Sequence, residues 1–360
     1  MKKKLISVTL VLTTIFLTTA CKNSTSKNNY EQVETIVKEE KVNSDKKDTI
    51  KTVETIFSSQ DIRPGNLALT KDGRLFISMN PLVSPETKVF ELNKQGENIA
   101  YPNHDYATGD NSIIKAIIGI RADSKGNLWL LDMGSKQFVV WNTQDEKLVK
   151  TIKIPENVIK PASFLQDFII DEKHNRVIIA DMTQGDLKST PEPAFIVINT
   201  KTGDAKRMAQ SHPSMMPDME GGFALNPIAI DPEFNWVYYG ALHGKKVYRV
   251  PTNSFDSDEN LLKTIEEYAP KSFCDGIAVD QNQNVYVTNV EDQTIGVTNK
   301  KDGFRTIATL PEGQSWPDGL YIVNNELYGT VDQLNRTAAL NNGKEESTGP
   351  YLVFKTKLIE

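Results

Sequence analysis

The chain repeats one short pattern six times. The units begin at Gly65 ("GNLALTKDGRLFISMN"), Ile118 ("IGIRADSKGNLWLLDM"), Gln166 ("QDFIIDEKHNRVIIAD"), Asn226 ("NPIAIDPEFNWVYYGA"), Asp275 ("DGIAVDQNQNVYVTNV") and Asp318 ("DGLYIVNNELYGTVD"). Their starts lie 43 to 60 residues apart. A repeat of that period, rich in Val, Ile, Leu and Tyr, cannot bury its own apolar surface unit by unit and must stack against its neighbours. Six such units predict an all-β, six-bladed β-propeller.

Each unit reads as a hairpin. A short apolar run meets a polar knot, such as Lys71-Asp72-Gly73, Lys125-Gly126-Asn127 or Gln283-Asn284. Gly, Asn and Asp tolerate the positive φ that tight hairpins demand. A second strand returns through Phe76, Trp129, Val177, Val237, Tyr286 or Tyr328. Segments such as "QFVVWNT" and "KVYRVPT" supply further strands in most units. A ring of sheets must close or leave two faces bare. "TVETIFSS" near the start and "YLVFKTKL" near the end have strand character and are expected to meet in one blade or in adjacent strands. The best helix signal, "SDENLLKTIEEYA", reads as a short excursion between blades.

Antiparallel return places the first residue of each unit and the last residue of its second strand at the same end. With the first strand of every blade on the axis, the openers Gln166, Asn226, Asp275 and Asp318 form a consecutive polar arc at one mouth of the channel. The closers Asn80, Asp132, Asp181, Asn289 and Asp332 form a second ring. Converging carboxylate and amide oxygens suit a hard divalent cation such as Ca²⁺. They equally suit the hydroxyls or amine of a small organic ligand. Trp316 and Phe273, just before the two Asp-Gly openers, are placed to stack on a ligand or to pack between blades. His104, His174, His212 and His243 are far apart; only His212 and His243 fall in loops within reach of the mouth.

The N-terminus carries a different message. Lys2, Lys3 and Lys4 precede an apolar, Thr-rich run over 5–19, and small residues lead into Cys21. That is the layout of a signal peptide over 1–20 with a lipidated cysteine behind it. Residues 21–51, rich in Lys, Asn, Ser, Glu and Asp, read as a solvated tether, and 52–360 as the propeller. The expected location is extracytoplasmic, held to the cell membrane by lipid on Cys21. The only other cysteine, Cys274, is expected to be a small buried hydrophobe, so no internal disulfide braces the fold. Net charge is −6 and becomes more negative once the signal lysines are removed. No basic stripe with interleaved aromatics occurs, so nucleic acid is not an expected partner.

The order of "FLQDFIIDEKHNRVIIAD", "AFIVINTKTGDAKRM", "YYGALHGKKVYRVPT", "CDGIAVD", "WPDGLY" and "GPYLVFKTKL" resembles the bacterial branch of the major royal jelly/yellow protein family, whose members are grouped as dopachrome-tautomerase-like. The resemblance implies a secreted six-bladed propeller with a ligand pocket at one mouth; insect members bind small biogenic amines or are tied to pigment chemistry. More distantly the chain is similar to gluconolactonase/senescence-marker propellers. These hold a divalent metal through a first-blade Glu with later Asn and Asp openers. Here Asn226, Asp275 and Asp318 occupy such positions, but Gly65, with Asn66 beside it, stands where the Glu would be. The expectation is therefore a binding protein for a small polar, cationic or aromatic ligand. The alternatives are a metal-dependent lactonase or esterase and a dopachrome-type tautomerase using the same mouth.

Overall fold

The computed structural model describes residues 50–359. The expected signal peptide, Cys21 and the tether up to residue 49 lie outside the described residues. Thr49–Glu360 form one compact unit. No helix among the described residues is long and apolar enough to cross a membrane.

Six sheets surround an axis, as the repeat requires. Their inner strands are Pro64–Leu69, Ile117–Ala122, Leu165–Asp171, Leu225–Ile230, Ile277–Val279 and Pro317–Val323, which we number blades 1 to 6. Each inner strand touches the inner strands of both neighbouring blades, including the sixth against the first. The order within blades 1 to 5 follows the chain from the axis outward. Blade 6 differs. Its third strand is the C-terminal Tyr351–Lys357, and its outer strand is the N-terminal Glu54–Ser59, paired antiparallel. The two chain ends thus share one blade, and Lys51–Thr52 adds a parallel strand to the outer edge of blade 5.

The hairpin turns carry positive φ at Gly73, Gly126, Asn175, Phe234, Gln283, Asn324 and Asn325. Four inner strands end in an aspartate that ties the following turn. Asp123 Oδ1 accepts from the amides of Lys125 and Asn127, and Asp280 Oδ1 from those of Asn282 and Asn284. Asp231 Oδ1 accepts from Asn235 and Trp236, and Asp171 from His174. The "SDENLLKTIEEYA" segment divides: Asp258–Thr264 is helical, and Glu266–Pro270 becomes the outer strand of blade 4.

The core is divided among the gaps between blades. Phe138, Phe168 and Ile179 fill the space between blades 2 and 3; Phe195, Tyr239 and Val250 fill that between 3 and 4. Tyr286, Leu327 and Phe354 do the same between 5 and 6. Cys274 is fully buried beside Tyr268 and Val287, as a small hydrophobe. Because Tyr351–Lys357 lies in the middle of blade 6 and supplies Phe354 to that gap, deletion of 351–360 is expected to abolish the cooperative thermal transition of the whole propeller. A two-state melt by circular dichroism, shifted by only a few degrees, would show that the ring does not depend on this strand.

Candidate functional site

The inner strands of five blades are irregular at their openers, and in blade 5 Asp275 precedes the regular strand Ile277–Val279. Register shifts fall between Pro64 and Asn66, Ile117 and Ile120, Leu165 and Asp167, Leu225 and Ile228, and Pro317 and Leu320. A bulge of this kind frees amides from the ladder and re-aims side chains. Hydroxyls on the second strands take up the freed amides. Ser78 Oγ accepts from Asn66 N at 3.1 Å, Thr288 Oγ1 from both Asp275 N and Gly276 N at 3.0 Å, and Thr330 Oγ1 from Gly319 N at 2.9 Å. Two of these hydroxyls also reach the next blade. Ser78 Oγ donates to Ile118 O at 2.6 Å and Thr330 Oγ1 to Gly65 O at 2.8 Å.

Gln166, Asn226, Asp275 and Asp318 do come together. They line one narrow chamber on the axis with Asn66, Arg121 and Asp167, and its volume is about 10 Å³. All four are buried. The chamber is closed rather than an open mouth. Trp316 covers it, packed with Leu242, Val290 and Leu334, while Phe223 and Phe273 lie partly buried beside them. The Trp316 indole N–H donates to Asp275 Oδ2 at 2.7 Å. Its backbone has φ 58°, an unusual conformation for a bulky side chain, held by this hydrogen bond and packing. The glycines after the two aspartates serve close approach. A Cβ on Gly276 would fall on the carbonyl oxygen of Asp318, and one on Gly319 would lie 2.8 Å from Asn66 Cα.

The chamber is acidic and buried. Asp167, Asp275 and Asp318 face one guanidinium, that of Arg121, which donates to Asp167 Oδ2 and, at 3.3 Å, to Asn66 Oδ1. Asp275 is held on both oxygens, by Asn226 Nδ2 at 2.7 Å and by Trp316. Burial still pushes its pKa up to about 6. Burial raises Asp167 to about 6 as well, against the opposing pull of Arg121. Asp318 is raised well above the usual carboxylate range, first by burial and then by the charges of Asp275 and Asp332. Asp318 Oδ2 and Gln166 Oε1 are buried with no hydrogen-bond donor among the described residues, and the Asp318 carboxyl lies beside that of Asp332, with which it can share a proton.

The second ring divides. Asn80 Nδ2 donates to Asp332 Oδ2 at 3.1 Å, and burial raises Asp332 to about 7, so this pair borders the acidic cluster. The other three brace loops. Asp132 accepts from the amides of Lys115, Ala116 and Ser135. Asp181 accepts from Ser163, Phe164, Thr183 and Arg207. Asn289 Oδ1 accepts from the amides of Glu291 and Asp292. Of the histidines, His243 reaches the upper rim. It lies between Phe223 and Phe273, accepts from Phe223 N at 2.7 Å, and is lowered to about 4 by burial, then by Lys271. His212 caps the turn Pro213–Met215.

A Ca²⁺ ion requires six to eight oxygen ligands. In this chamber both Asp275 oxygens are engaged and Asn226 presents its amide nitrogen to Asp275. No group of three or more His, Cys, Asp or Glu poised for a metal occurs among the described residues. The donor set as arranged does not fit a resident Ca²⁺.

The sequence model of the family described as Major royal jelly protein matches residues 115–357, from the blade 2 inner strand to the C-terminal strand. The chain belongs to that family. A sequence comparison with curated proteins yields no match. Solved structures similar in fold include a gluconolactonase from Xanthomonas campestris (TM-score 0.55, 13% identity, 84% of this chain and 88% of that one). A luciferin-regenerating enzyme (TM-score 0.57, 14% identity, 86% and 95%) is another. The calcium-binding protein regucalcin from Agrobacterium tumefaciens (TM-score 0.54, 12% identity, 85% and 95%) is a third. At these identities the likeness is one of fold.

Two predictions follow from the packing and charge of this member of the family. Gly276→Ala should destabilise by on the order of 3 kcal/mol, since the new methyl overlaps backbone that cannot move aside; an unchanged denaturant midpoint would contradict the close approach. The raised acids set a pH dependence of the ligand-free protein. Each has a folded-state pKa above its unfolded value near 3.8, so its stabilising contribution is complete below about pH 4. That contribution is lost as pH rises through about 6 to 7. The melting temperature should fall between pH 5 and 8, and Asp318→Asn should reduce that fall by on the order of a few °C. Parallel pH profiles of the two proteins would refute this.

Proposed function

We propose that this family member is an envelope-anchored binding propeller that takes the ammonium group of a small amine in its axial chamber. The observation that carries this reading is the pair of unpartnered buried oxygens, Asp318 Oδ2 and Gln166 Oε1, within a chamber where three carboxylates meet one guanidinium. Buried acceptors without partners are rare in native proteins and mark a missing donor. An ammonium supplies up to three N–H donors and one positive charge. Its head group is close to water in size, and a chamber of this volume holds one water-sized group. Trp316 and Phe273 stand above as apolar surface for the rest of the ligand.

Charge and solvation agree with this assignment. A cation in the chamber favours the ionised acids, so its binding strengthens as pH rises through about 6 to 7. Isothermal calorimetry with phenethylamine should show saturable binding at pH 8, weaker by tenfold or more at pH 5.5. Asp318→Asn should weaken it to a similar degree, and the neutral phenethyl alcohol should not bind. Equal heats from the alcohol, or none from the amine at millimolar concentration, would leave the chamber a site for water alone.

A second reading rests on the same acids. Asp318, raised well above the usual carboxylate range by burial and the neighbouring acids, beside Asp275, raised to about 6, is the kind of pair that general acid–base catalysis uses. In tautomerisation of a catechol-derived substrate, ionised Asp275 would take a proton from one substrate carbon as protonated Asp318 gives one to another substrate atom, the double bonds shifting between the two, so that the pair ends with the same number of protons. The test is turnover of dopachrome that vanishes in both Asp275→Asn and Asp318→Asn.

The anchor is part of the proposal. Lys2, Lys3 and Lys4, the apolar run and the small residues before Cys21 support cleavage ahead of Cys21 and its acylation, with 21–51 as tether. Cells grown with labelled palmitate should yield a labelled membrane-bound protein. Cys21→Ser should release it unlabelled; label retained in that variant would place the anchor elsewhere.

A further inference from the structure

A cavity much roomier than the acidic chamber lies on the same axis. It opens at the opposite mouth, where the inner strands end, and has a volume of about 430 Å³. That is within the range of sites that hold small organic molecules. Its wall is built from the aliphatic ends of several inner strands, among them Leu69, Ile230, Val279, Ile322 and Val323. Ile230, Ile322 and Val323 are only partly buried, so this surface is unsatisfied by the protein itself.

The carboxylates at this mouth are already engaged, and Lys71 on its lining is exposed and keeps its charge in water. Asp123 accepts from Asn127 Nδ2 at 2.8 Å and Trp129 Nε1 at 2.9 Å, besides the turn amides. Asp231 accepts from two backbone amides, and Glu172 from the amide and hydroxyl of Ser124. None of these carboxylates is free to recruit a cation. Arg121 forms the inner end of the cavity. Its Nη1 donates to Asn66 Oδ1 and to Ile120 O, and its Nη2 to Asp167, while its Nε–H has no partner among the described residues. Asp167 balances its charge, so an anion gains little there, but a neutral acceptor finds an available N–H.

We propose that the lower mouth is a second binding site, for an uncharged, mainly apolar small molecule carrying one carbonyl-type acceptor that meets Arg121. The apolar body fills the aliphatic wall and is removed from water, which supplies most of the affinity. The acceptor fixes orientation at the inner end. This site is independent of the amine reading, because it lies on the far side of Arg121 and uses none of the four openers.

The test uses N-phenyl-1-naphthylamine as a neutral fluorescent probe on the intact chain. One saturable site is expected, from which 1-acetonaphthone displaces the probe several-fold better than naphthalene, the same ring without an acceptor. Ile230→Trp, which fills the cavity, and Ile230→Lys, which puts a charge on its wall, should each reduce probe binding at least tenfold. Each should keep the far-ultraviolet circular dichroism of the wild type. Where either fails to fold, Ile322→Trp serves as the filling variant. Asp318→Asn and Phe273→Ala, at the chamber and the upper rim, should leave probe binding unchanged. Absence of saturable binding, binding indifferent to all three cavity variants, or loss in Phe273→Ala would overturn the proposal. Equal displacement by the two naphthalenes would overturn the role given to Arg121.

Discussion

Everything at the axis follows from six strands being forced together at one line. The ring is fastened where Glu54–Ser59 pairs with Tyr351–Lys357, and that closure leaves no slack among the inner strands. The evidence of compression is specific: Gly276 lies against the carbonyl of Asp318, and Gly319 against Asn66, so closely that neither position admits a methyl group. Regular pairing cannot continue through such a crossing, and the ladder breaks at the openers of five blades. Ser78, Thr288 and Thr330 replace the lost partners with hydroxyls, and two of them bridge to the following blade. The geometry that closes the ring is therefore the geometry that gathers the polar side chains.

The same tightness leaves room for little water, and burial sets the electrostatics. A carboxylate loses its hydration on burial and regains stability only from donors or positive charge. Asp167 obtains Arg121, and Asp275 obtains Asn226 and Trp316. Asp318 Oδ2 obtains no donor among the described residues, and its carboxyl meets only that of Asp332, with which it can share a proton. A proton, a water or a bound cation can satisfy it, and a proton and a cation are mutually exclusive on that oxygen. A chamber in that condition links ligand occupancy to pH through one group. The left-handed backbone of Trp316 belongs to the same account, because its indole must reach Asp275 from above for that acid to be held on both oxygens.

The period and the turns were legible in the sequence because each is a local signal. Gly73, Asn175 and Gln283 adopt the positive φ that a tight hairpin requires. Gln166, Asn226, Asp275 and Asp318 were legible as a set because they occupy one position of a repeat, and a repeat delivers one position to one place. Asn66 and Asp167 were not. They follow the opener, and simple alternation sends neighbours to opposite faces of a sheet. The irregularity between Leu165 and Asp167 defeats that rule and brings both Gln166 and Asp167 to the chamber. Arg121 escapes notice for the same reason, three residues beyond its opener and past the shift between Ile117 and Ile120. The closers show the opposite difficulty. Asp132 and Asp181 match Asp332 in sequence position and, like it, accept loop amides, but Asp332 turns its second oxygen to Asn80 beside the acidic cluster, a difference that a pattern of residue types does not show.

The composition of each inner strand also explains why the two mouths differ. A strand with one wet face alternates polar and apolar residues, but these strands are buried on both faces against adjacent blades and read as apolar runs. Only their ends are released from that packing. The unit at Asp275 is therefore polar at its start and aliphatic through Ile277, Ala278 and Val279. Amphipathy runs along the strand instead of across it. Repeated around an axis, that arrangement produces an acidic chamber at one end and an aliphatic cavity at the other. Arg121 is the one charged side chain that lines both, and its pairing with Asp167 and Asn66 closes the passage between them. The division of the channel into two chemically distinct compartments thus rests on that ion pair and on the direction in which every unit of the repeat is written.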